Sequence, residues 1–355
     1  MQKNLEVRSG PNYYECQKDV LSSLEERLIT LNYKKALWIH GKKSLEAAQP
    51  FLPQFHYIQS LFVPYEEKCS LKERDRLASK AEEFRADVII SLGGGSVLDL
   101  GKAVANMVDC EVILIPTLAS TCSAWTPKSL MYKDGQFHSA LSHPKQALMV
   151  LIEPRIILHS PVAYLRSGIS NTLAKWYELD ALMAKEENKT FAMELAHQIA
   201  HNSHTLLLAH GKQALIDLAT VKLSASLLKT IEIIIMGGGI ASSFNSQHET
   251  ATLFQNSISL NSSSPLLLGE KAAYGIFIQL ALEENWDEID RILPFYRQIK
   301  LPYGENIETV EKLASFIAQD KRGHVLFPSL TQQEVADSIQ ALLHHIQQNE
   351  RVPVL

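Results

Sequence analysis

Cysteine is scarce in this chain: Cys16, Cys69, Cys110 and Cys122 are the only four in 355 residues, and no two stand in a Cys-x-x-Cys spacing. That spacing excludes a disulfide framework and a zinc ribbon, and it suits a reducing compartment, so a cytoplasmic location is expected. The opening Met1-Gln2-Lys3-Asn4-Leu5-Glu6 lacks the apolar core of a signal peptide, and no run is expected to reach membrane-spanning length; a membrane is not an expected partner. An excess of positive charge is missing too. With 34 basic against 39 acidic residues the formal net charge is −5, and there is no dense Lys/Arg stripe, so nucleic acid is not an expected partner. Nor is there a coiled-coil or zipper pattern.

What the chain does have is the stretch from Asp87 to Ala103. The β-branched run Val88-Ile89-Ile90 leads into Gly93-Gly94-Gly95-Ser96, and apolar residues then recur at Val97, Leu98, Ala103 and Val104 with helical spacing. This reads as strand, tight turn and helix. Glycines there allow a positive φ and a close approach, while the first N–H groups of the helix point out of the turn, an arrangement that suits a phosphate. The spacing is neither the G-x-G-x-x-G fingerprint nor a Walker loop, because no Gly-Lys-Ser/Thr follows.

Along the chain, Ser9 to Asn12 reads as a turn and Val20 to Leu31 as a first amphipathic helix. Lys35 to His40, Tyr57 to Val63, Asp87 to Leu92, Glu111 to Pro116 and Ala147 to Leu151 read as strands, with a charged helix over Leu71 to Phe84 and another before Glu111. Strands alternating with helices imply a parallel sheet covered on both faces, which binds ligands at the carboxyl ends of its strands. From about Pro161 the patterns turn helical: Leu173 to Leu182, Phe191 to Leu208, Leu215 to Leu228, Ala272 to Leu282, and Thr331 to Ile346, the last opened by the capping-box spelling Thr331-x-x-Glu334. The expected fold class is therefore α/β followed by all-α, with domains 1–160 and 161–355 and the site in the cleft between them. Gly237-Gly238-Gly239 has no charged partner at a useful spacing and reads as close helix packing. Glu194-x-x-His197-x-x-x-His201, with His204 and His210 beyond, puts three possible ligands along one helix face, where solvated histidines are the ordinary case and a metal the rarer one.

The string Gly-Gly-Gly-Ser-x-x-Asp-x-x-Lys resembles the signature of the iron-containing alcohol dehydrogenase and glycerol dehydrogenase superfamily. Three further stretches match it: Ile115 to Pro127, Ser167 to Glu178, and Leu268 to Gly275. Thr121-Cys122-x-Ala124-Trp125-Thr126-Pro127 and Leu173-Ala174-Lys175-Trp176-Tyr177-Glu178 look most like the hydroxycarboxylate dehydrogenase branch. The resemblance implies the dehydroquinate synthase-like fold, a Rossmann-like dinucleotide-binding domain followed by a helical one, NAD or NADP in the cleft, and a homo-oligomer, a dimer or larger. It implies that Gly94, Gly95 and Ser96 hold the pyrophosphate with Asp99 close by, and that Thr117, Ser120, Thr126, Lys128 and Tyr132 line the rest. Lys128 stands where relatives have an apolar residue. At the end of the second strand, where relatives place an acid against the ribose, this chain has Gly41 followed by Lys42 and Lys43. No carboxylate is there to repel a 2′-phosphate, so NADP is favoured over NAD.

The metal triad implied by the resemblance is one aspartate and two histidines, which leave an open position for the substrate oxygen. The matching positions here are Asn171, Thr252 and Leu268, the second set by aligning Gln255-Asn256-Ser257 with the family's His-Asn-Gly. No metal is expected at these residues. The chain is thus expected to be an NAD(P)(H)-dependent oxidoreductase acting on a small alcohol or carbonyl compound, with Asn171, Lys175 and Lys128 as cleft candidates and Lys175 or Lys128 in place of the ion. The alternative is a catalytically silent NAD(P)-binding protein, a sensor or assembly subunit. A relocated metal would need His248, Glu249 or Glu270.

Overall fold

The computed structural model describes residues 9–66, 68–133, 136–243, 266–301, 309–319 and 326–350, together with Phe254 and Ile258. Its first half is built on eight strands: β1 (Tyr13–Cys16), β2 (Lys35–His40), β3 (Gln59–Pro64), β4 (Val88–Gly93), β5 (Glu111–Pro116), β6 (Lys128–Lys133), β7 (Gln136–Ser142) and β8 (Met149–Ile152). Six of them form a sheet in the order β1-β8-β5-β4-β2-β3, and every pairing in it is parallel. Between them run α1 (Leu24–Thr30), α2 (Lys42–Ala48), α3 (Leu71–Phe84) and α4 (Gly95–Met107).

The central strand β4 is buried along its whole length. A continuous run of Val, Ile and Leu is what a strand covered on both faces requires. Its neighbour α3 starts at Ser70, whose side chain accepts the Glu73 N–H, and turns Leu77, Ala78 and Ala81 inward. In register, Gly93 lies opposite Pro116 and His40 opposite Leu92. The residues after β2, β4 and β5, namely Gly41, Gly94 and Thr117, therefore come out on one edge of the sheet.

Beyond Ile152 every described element is a helix: α5 (Pro154–Ile157), α6 (Val162–Lys185), α7 (Phe191–Ala219), α8 (Ala225–Glu232), α9 (Gly238–Ser243), α10 (Leu268–Leu282), α11 (Trp286–Gln298), α12 (Val310–Gln319) and α13 (Gln332–Glu350). One apolar cluster runs without a break from Ile89 of the sheet through Leu173 of α6 to Phe277 of α10.

Several expectations need correction. The helix expected over Leu215 to Leu228 is interrupted. Val221 takes φ 53° after α7, and Ser224 then caps α8 by accepting the Leu227 N–H. A β-branched residue in the left-handed region breaks a helix that its apolar spacing alone would continue. The segment expected as a turn before the first helix continues into β1, which closes one edge of the sheet by pairing with β8. The antiparallel hairpin β6–β7 stands outside the main sheet and was not expected. The run Ala225–Ser243 is long and apolar enough to cross a membrane, with a mean hydropathy of 1.4, contrary to the expectation that no run is. Half of it is buried inside the protein, however, as a core helix requires.

Gly237 to Gly239 lie in that run, Ile233–Gly237 forming a π-helical turn. A Cβ on Gly239 would stand 2.3 Å from Trp125 Cβ, and one on Gly237 2.7 Å from Ser203 Oγ, so these glycines serve close packing as expected. Trp125 is also wedged against Gly10, whose φ of 138° and lack of a side chain are both needed there: a Cβ would meet the indole at 2.4 Å.

Candidate functional site

The glycine turn owes its residues to space rather than to an unusual φ, since Gly10 alone among the described glycines has a positive one. A Cβ on Gly93 would meet Val97 Cβ at 2.6 Å, on Gly94 Leu118 Cδ1 at 2.8 Å, and on Gly95 Thr121 Oγ1 at 2.9 Å. Gly94 (φ −80°) leads into α4, whose first turn has no side-chain cap. Such a turn presents backbone N–H groups to an anion, and the helix dipole adds to the attraction. Ser96 is exposed beside it, with Gly94 and Gly95 half-buried. The residues fit a dinucleotide pyrophosphate.

One turn further along α4, Asp99 and Lys102 are both buried and paired at 2.9 Å. The Asp99 carboxylate also accepts from the Leu130 N–H at 3.1 Å and from the Ser123 hydroxyl. Lys102 Nζ donates to the carbonyls of Ser123 at 2.7 Å, Thr126 at 2.9 Å and Lys128. Both oxygens of Asp99 are thus engaged within the fold, and the pair fastens the loop from Thr117 to Lys128 onto the glycine helix. Sequence reasoning had Lys102 only as the last residue of the glycine signature, without a role, and passed over Ser123. The i,i+3 spacing of an acid and a base was the available signal for the first; nothing signalled the second.

At the neighbouring strand ends, the Thr117 N–H donates to Gly93 O at 3.0 Å and its hydroxyl to Ser44 Oγ at 3.3 Å. Gly41 precedes α2, and a Cβ there would meet Ser44 Oγ at 3.2 Å. Lys42 and Lys43 are exposed on the first turn of α2. Ser120, Thr126, Lys128 and Tyr132 are half-buried, the last two on β6. Tyr132 donates its N–H to Cys69 O at 2.8 Å, and burial, with Asp99 adding to it, raises its hydroxyl above the ordinary pKa.

The opposite wall is α6. A Cβ on Gly168 would stand 2.1 Å from Ala119 O, so this helix lies with its backbone against the loop after β5. Asn171 and Lys175, one turn apart, are both buried. Lys175 Nζ donates to Ser242 Oγ at 2.5 Å, and Ser242 in turn donates to Gly238 O at 2.9 Å. Cys122 Sγ lies 4.0 Å from Ser242 Oγ. Gly95, Thr121, Cys122, Ser242 and Lys175 therefore form a connected path from the glycine turn to the lysine. Among the described residues no carboxylate pairs with Lys175, and Ser242 is its hydrogen-bond partner. At the start of α10 the Gly269 N–H donates to Ser167 Oγ at 2.9 Å, which sets Leu268 against the stretch of α6 that carries Asn171.

The histidine face of α7 is not simply solvated. Trp176 packs against the rings of His197, His201 and His204 at 4.8, 4.7 and 5.9 Å. His204 is buried and bonds Tyr177 Oη at 3.0 Å, while His197 bonds Asp180 at 2.8 Å. A hollow of about 570 Å³ opens beside them, lined by Asp180, Lys189, Phe191, Glu194 and others, and none of the residues expected to hold the cofactor lines it.

The model of the family described as iron-containing alcohol dehydrogenase matches residues 11–154. Hydroxycarboxylate dehydrogenase A of Escherichia coli (strain K12) is 33% identical over 304 residues, which cover 84% of either chain. The chain belongs to the iron-containing alcohol dehydrogenase family. Two solved structures of family type share its fold. A probable glycerol dehydrogenase from Sinorhizobium meliloti 1021 superposes with a TM-score of 0.84 at 22% identity, covering 96% of this chain and 99% of that one. The sulfoacetaldehyde reductase from Bifidobacterium kashiwanohense, solved in complex with NAD+, reaches 0.75 at 13% identity, with 96% and 99% covered.

The described residues expected at the family's metal positions do not fit that ion. Leu268 has no donor atom, Asn171 offers a neutral amide, and Thr252 lies outside the described residues, as do His248 and Glu249. Among the described residues no group of three or more His, Cys, Asp or Glu side chains is placed to hold a metal ion. Glu270, the remaining substitute, accepts the Leu267 N–H at 2.8 Å and so closes the first turn of α10.

Proposed function

We propose that this protein is an NAD(P)(H)-dependent oxidoreductase acting on a small alcohol or carbonyl compound without the divalent metal of its family. The observation that carries the reading is Lys175: a buried ammonium held by a serine hydroxyl and, among the described residues, by no carboxylate. Burying such a charge is costly unless further partners arrive. Its remaining N–H groups suit a carbonyl oxygen in the position that a metal would otherwise polarise.

Gly94, Gly95 and Ser96 would hold the pyrophosphate of the cofactor, and Thr117, Ser120, Thr126, Lys128 and Tyr132 the rest, with Asp99 bracing the turn from within. NADP is the favoured form, because Gly41 leaves the ribose pocket without a carboxylate and Lys42 stands ready for a 2′-phosphate. When bound, the reduced cofactor supplies the hydride. Lys175 Nζ supplies the proton to the carbonyl oxygen, and Ser242 fixes the direction of that ammonium. The same reading has a cytoplasmic homo-oligomer acting on a small molecule, with neither nucleic acid nor a membrane as partner.

A second reading is a catalytically silent NAD(P)-binding sensor or assembly subunit, favoured by Leu268 and Asn171 at ligand positions. The test is the purified protein with NADPH or NADH and a panel of 2-oxo acids and aldehydes, after chelation and after adding Zn²⁺ or Fe²⁺. Turnover that survives chelation supports the first reading. Tight cofactor binding with no turnover supports the second, and turnover that appears only with added metal overturns the metal-free assignment.

A further inference from the structure

Lys175 is only 6% exposed, so an ammonium that has given up a proton there is poorly placed to take another directly from bulk water. Among the described residues its hydrogen-bond partner is Ser242 Oγ at 2.5 Å. Ser242 has two further neighbours, the Gly238 carbonyl at 2.9 Å and the Cys122 thiol at 4.0 Å, within reach of the larger sulfur atom. A carbonyl accepts a hydrogen bond but has no proton to give, whereas a thiol has one. Cys122 and Ser242 are half-buried and Lys175 is buried, so the three side chains run inward from the more open residue to the closed one. Glycines hold them in line. A Cβ on Gly238 would stand 3.4 Å from Lys175 Cε, and one on Gly239 2.3 Å from Trp125 Cβ, so two adjacent bare positions of α9 receive the lysine stem and the loop after β5. Ser242, one turn beyond Gly238, meets both. The loop is fixed in its turn: the Trp125 N–H donates to Cys122 O at 2.9 Å, and Lys102 Nζ to Ser123 O at 2.7 Å.

We propose that Cys122 is a relay residue, whose thiol passes a proton through the Ser242 hydroxyl to Lys175 and so restores the ammonium after each turnover. The inference rests on the oxidoreductase reading for the reaction, but the path of side chains does not. In carbonyl reduction the reduced nicotinamide cofactor is the source of the hydride, and the carbonyl oxygen takes one N–H proton of Lys175, which leaves a neutral amine. The amine lone pair takes the Ser242 hydroxyl proton as that hydroxyl turns away from Gly238 O. The serine oxygen takes the thiol proton, and solvent reprotonates the thiolate. One N–H, one O–H and one S–H bond break and re-form in turn, and the net change is one solvent proton delivered to the product alcohol. Alcohol oxidation runs the same path outward. Cys122 touches no reacting atom in this scheme and acts through Ser242 and Lys175.

The test is steady-state kinetics of the full chain with NADPH or NADH and a carbonyl from the panel above, on wild type, Cys122→Ala and Cys122→Val. Alanine leaves a hole and valine fills it, yet neither carries a proton to pass on. Both variants are expected to lower kcat about tenfold or more with KM unchanged. Imidazolium added to the assay should restore much of kcat in Cys122→Ala, where the hole admits a proton donor from solution, and little in Cys122→Val. A cysteine that only packs would not be replaced by a buffer acid. Unchanged kcat in either variant overturns the relay, and so does a loss that imidazolium leaves as it is. Where no carbonyl is turned over, iodoacetamide labelling of Cys122, read by peptide mass spectrometry, decides. Labelling about threefold slower in Lys175→Met than in wild type, as loss of a cation joined to the thiol through Ser242 implies, upholds the path while the oxidoreductase reading falls. Labelling at the same rate in both overturns the path.

Discussion

Lys102 on α4 and Lys175 on α6 are buried to nearly the same degree, 4% and 6% exposed, yet their surroundings differ. Lys102 is met by the Asp99 carboxylate and three carbonyls; Lys175 is met by the hydroxyl of Ser242. A buried cation whose donors are all answered inside the chain is scaffolding, and removing it leaves its acid stranded. A buried cation answered only in part lowers the stability of the empty protein and gains its partners from a ligand. The surroundings of Lys102 are thus finished by folding, and on the proposed reading those of Lys175 are finished by binding.

The largest effect that can break this contrast is on stability. Lys102→Met should cost about 3–5 kcal/mol, because Asp99 is left buried without its counter-charge, and urea denaturation will read it. A loss below about 1 kcal/mol would mean that the pair does not hold the loop. Lys175→Met should do the reverse, leaving the urea midpoint unchanged or higher while carbonyl reduction falls by about 10²-fold or more. A stability loss like that of Lys102→Met would place both lysines in the same class.

A smaller effect tests a buried base in the helical half. Burial, and then the Arg291 charge, push His204 down to about 4 from an ordinary value of 6.5. The folded state therefore resists a proton that the unfolded chain accepts. Stability should be full above about pH 6.5 and decline as the pH falls towards 4, by roughly 3 kcal/mol. His204→Gln should flatten that slope in denaturation curves taken between pH 7 and 4. Smallest of all, Ser242→Ala should lower kcat about tenfold with little change in KM, since it frees the direction of the Lys175 ammonium without touching the cofactor turn. An unchanged kcat would remove Ser242 from the account.

Much of the sheet could be read in advance because its central strands are unbroken apolar runs. Lys35 to His40 and Glu111 to Pro116 have the same bounds in sequence and structure. The edge strand β1 and the hairpin β6–β7 were missed, since short strands with mixed polarity are made by their neighbours rather than by their own pattern. The last strand, β8, ends at Ile152, and the long helix α6 begins at Val162. At the site, the glycines announced themselves, but their reason was misjudged: it lies in Val97, Leu118 and Thr121, whose approach only tertiary structure brings about. The bond from Lys175 to Ser242 spans 67 positions. No local pattern carries information over such separations. Leu268 and Asn171 were singled out only through resemblance, which says what a position does in relatives and not what its neighbours here do.

The loop after β5 meets Gly95 through Thr121, Gly168 through the Ala119 carbonyl, and both Gly10 and Gly239 through the Trp125 ring, each at a distance that leaves no room for a methyl group. Any swing of the helical half away from the sheet must use this loop as its fulcrum. On the proposed reading, the grip on a nucleotide and such a swing would be one movement. Turnover is expected to run in a compulsory order, nucleotide first to arrive and last to depart, with product release paced by rotation about Trp125 rather than by the hydride step.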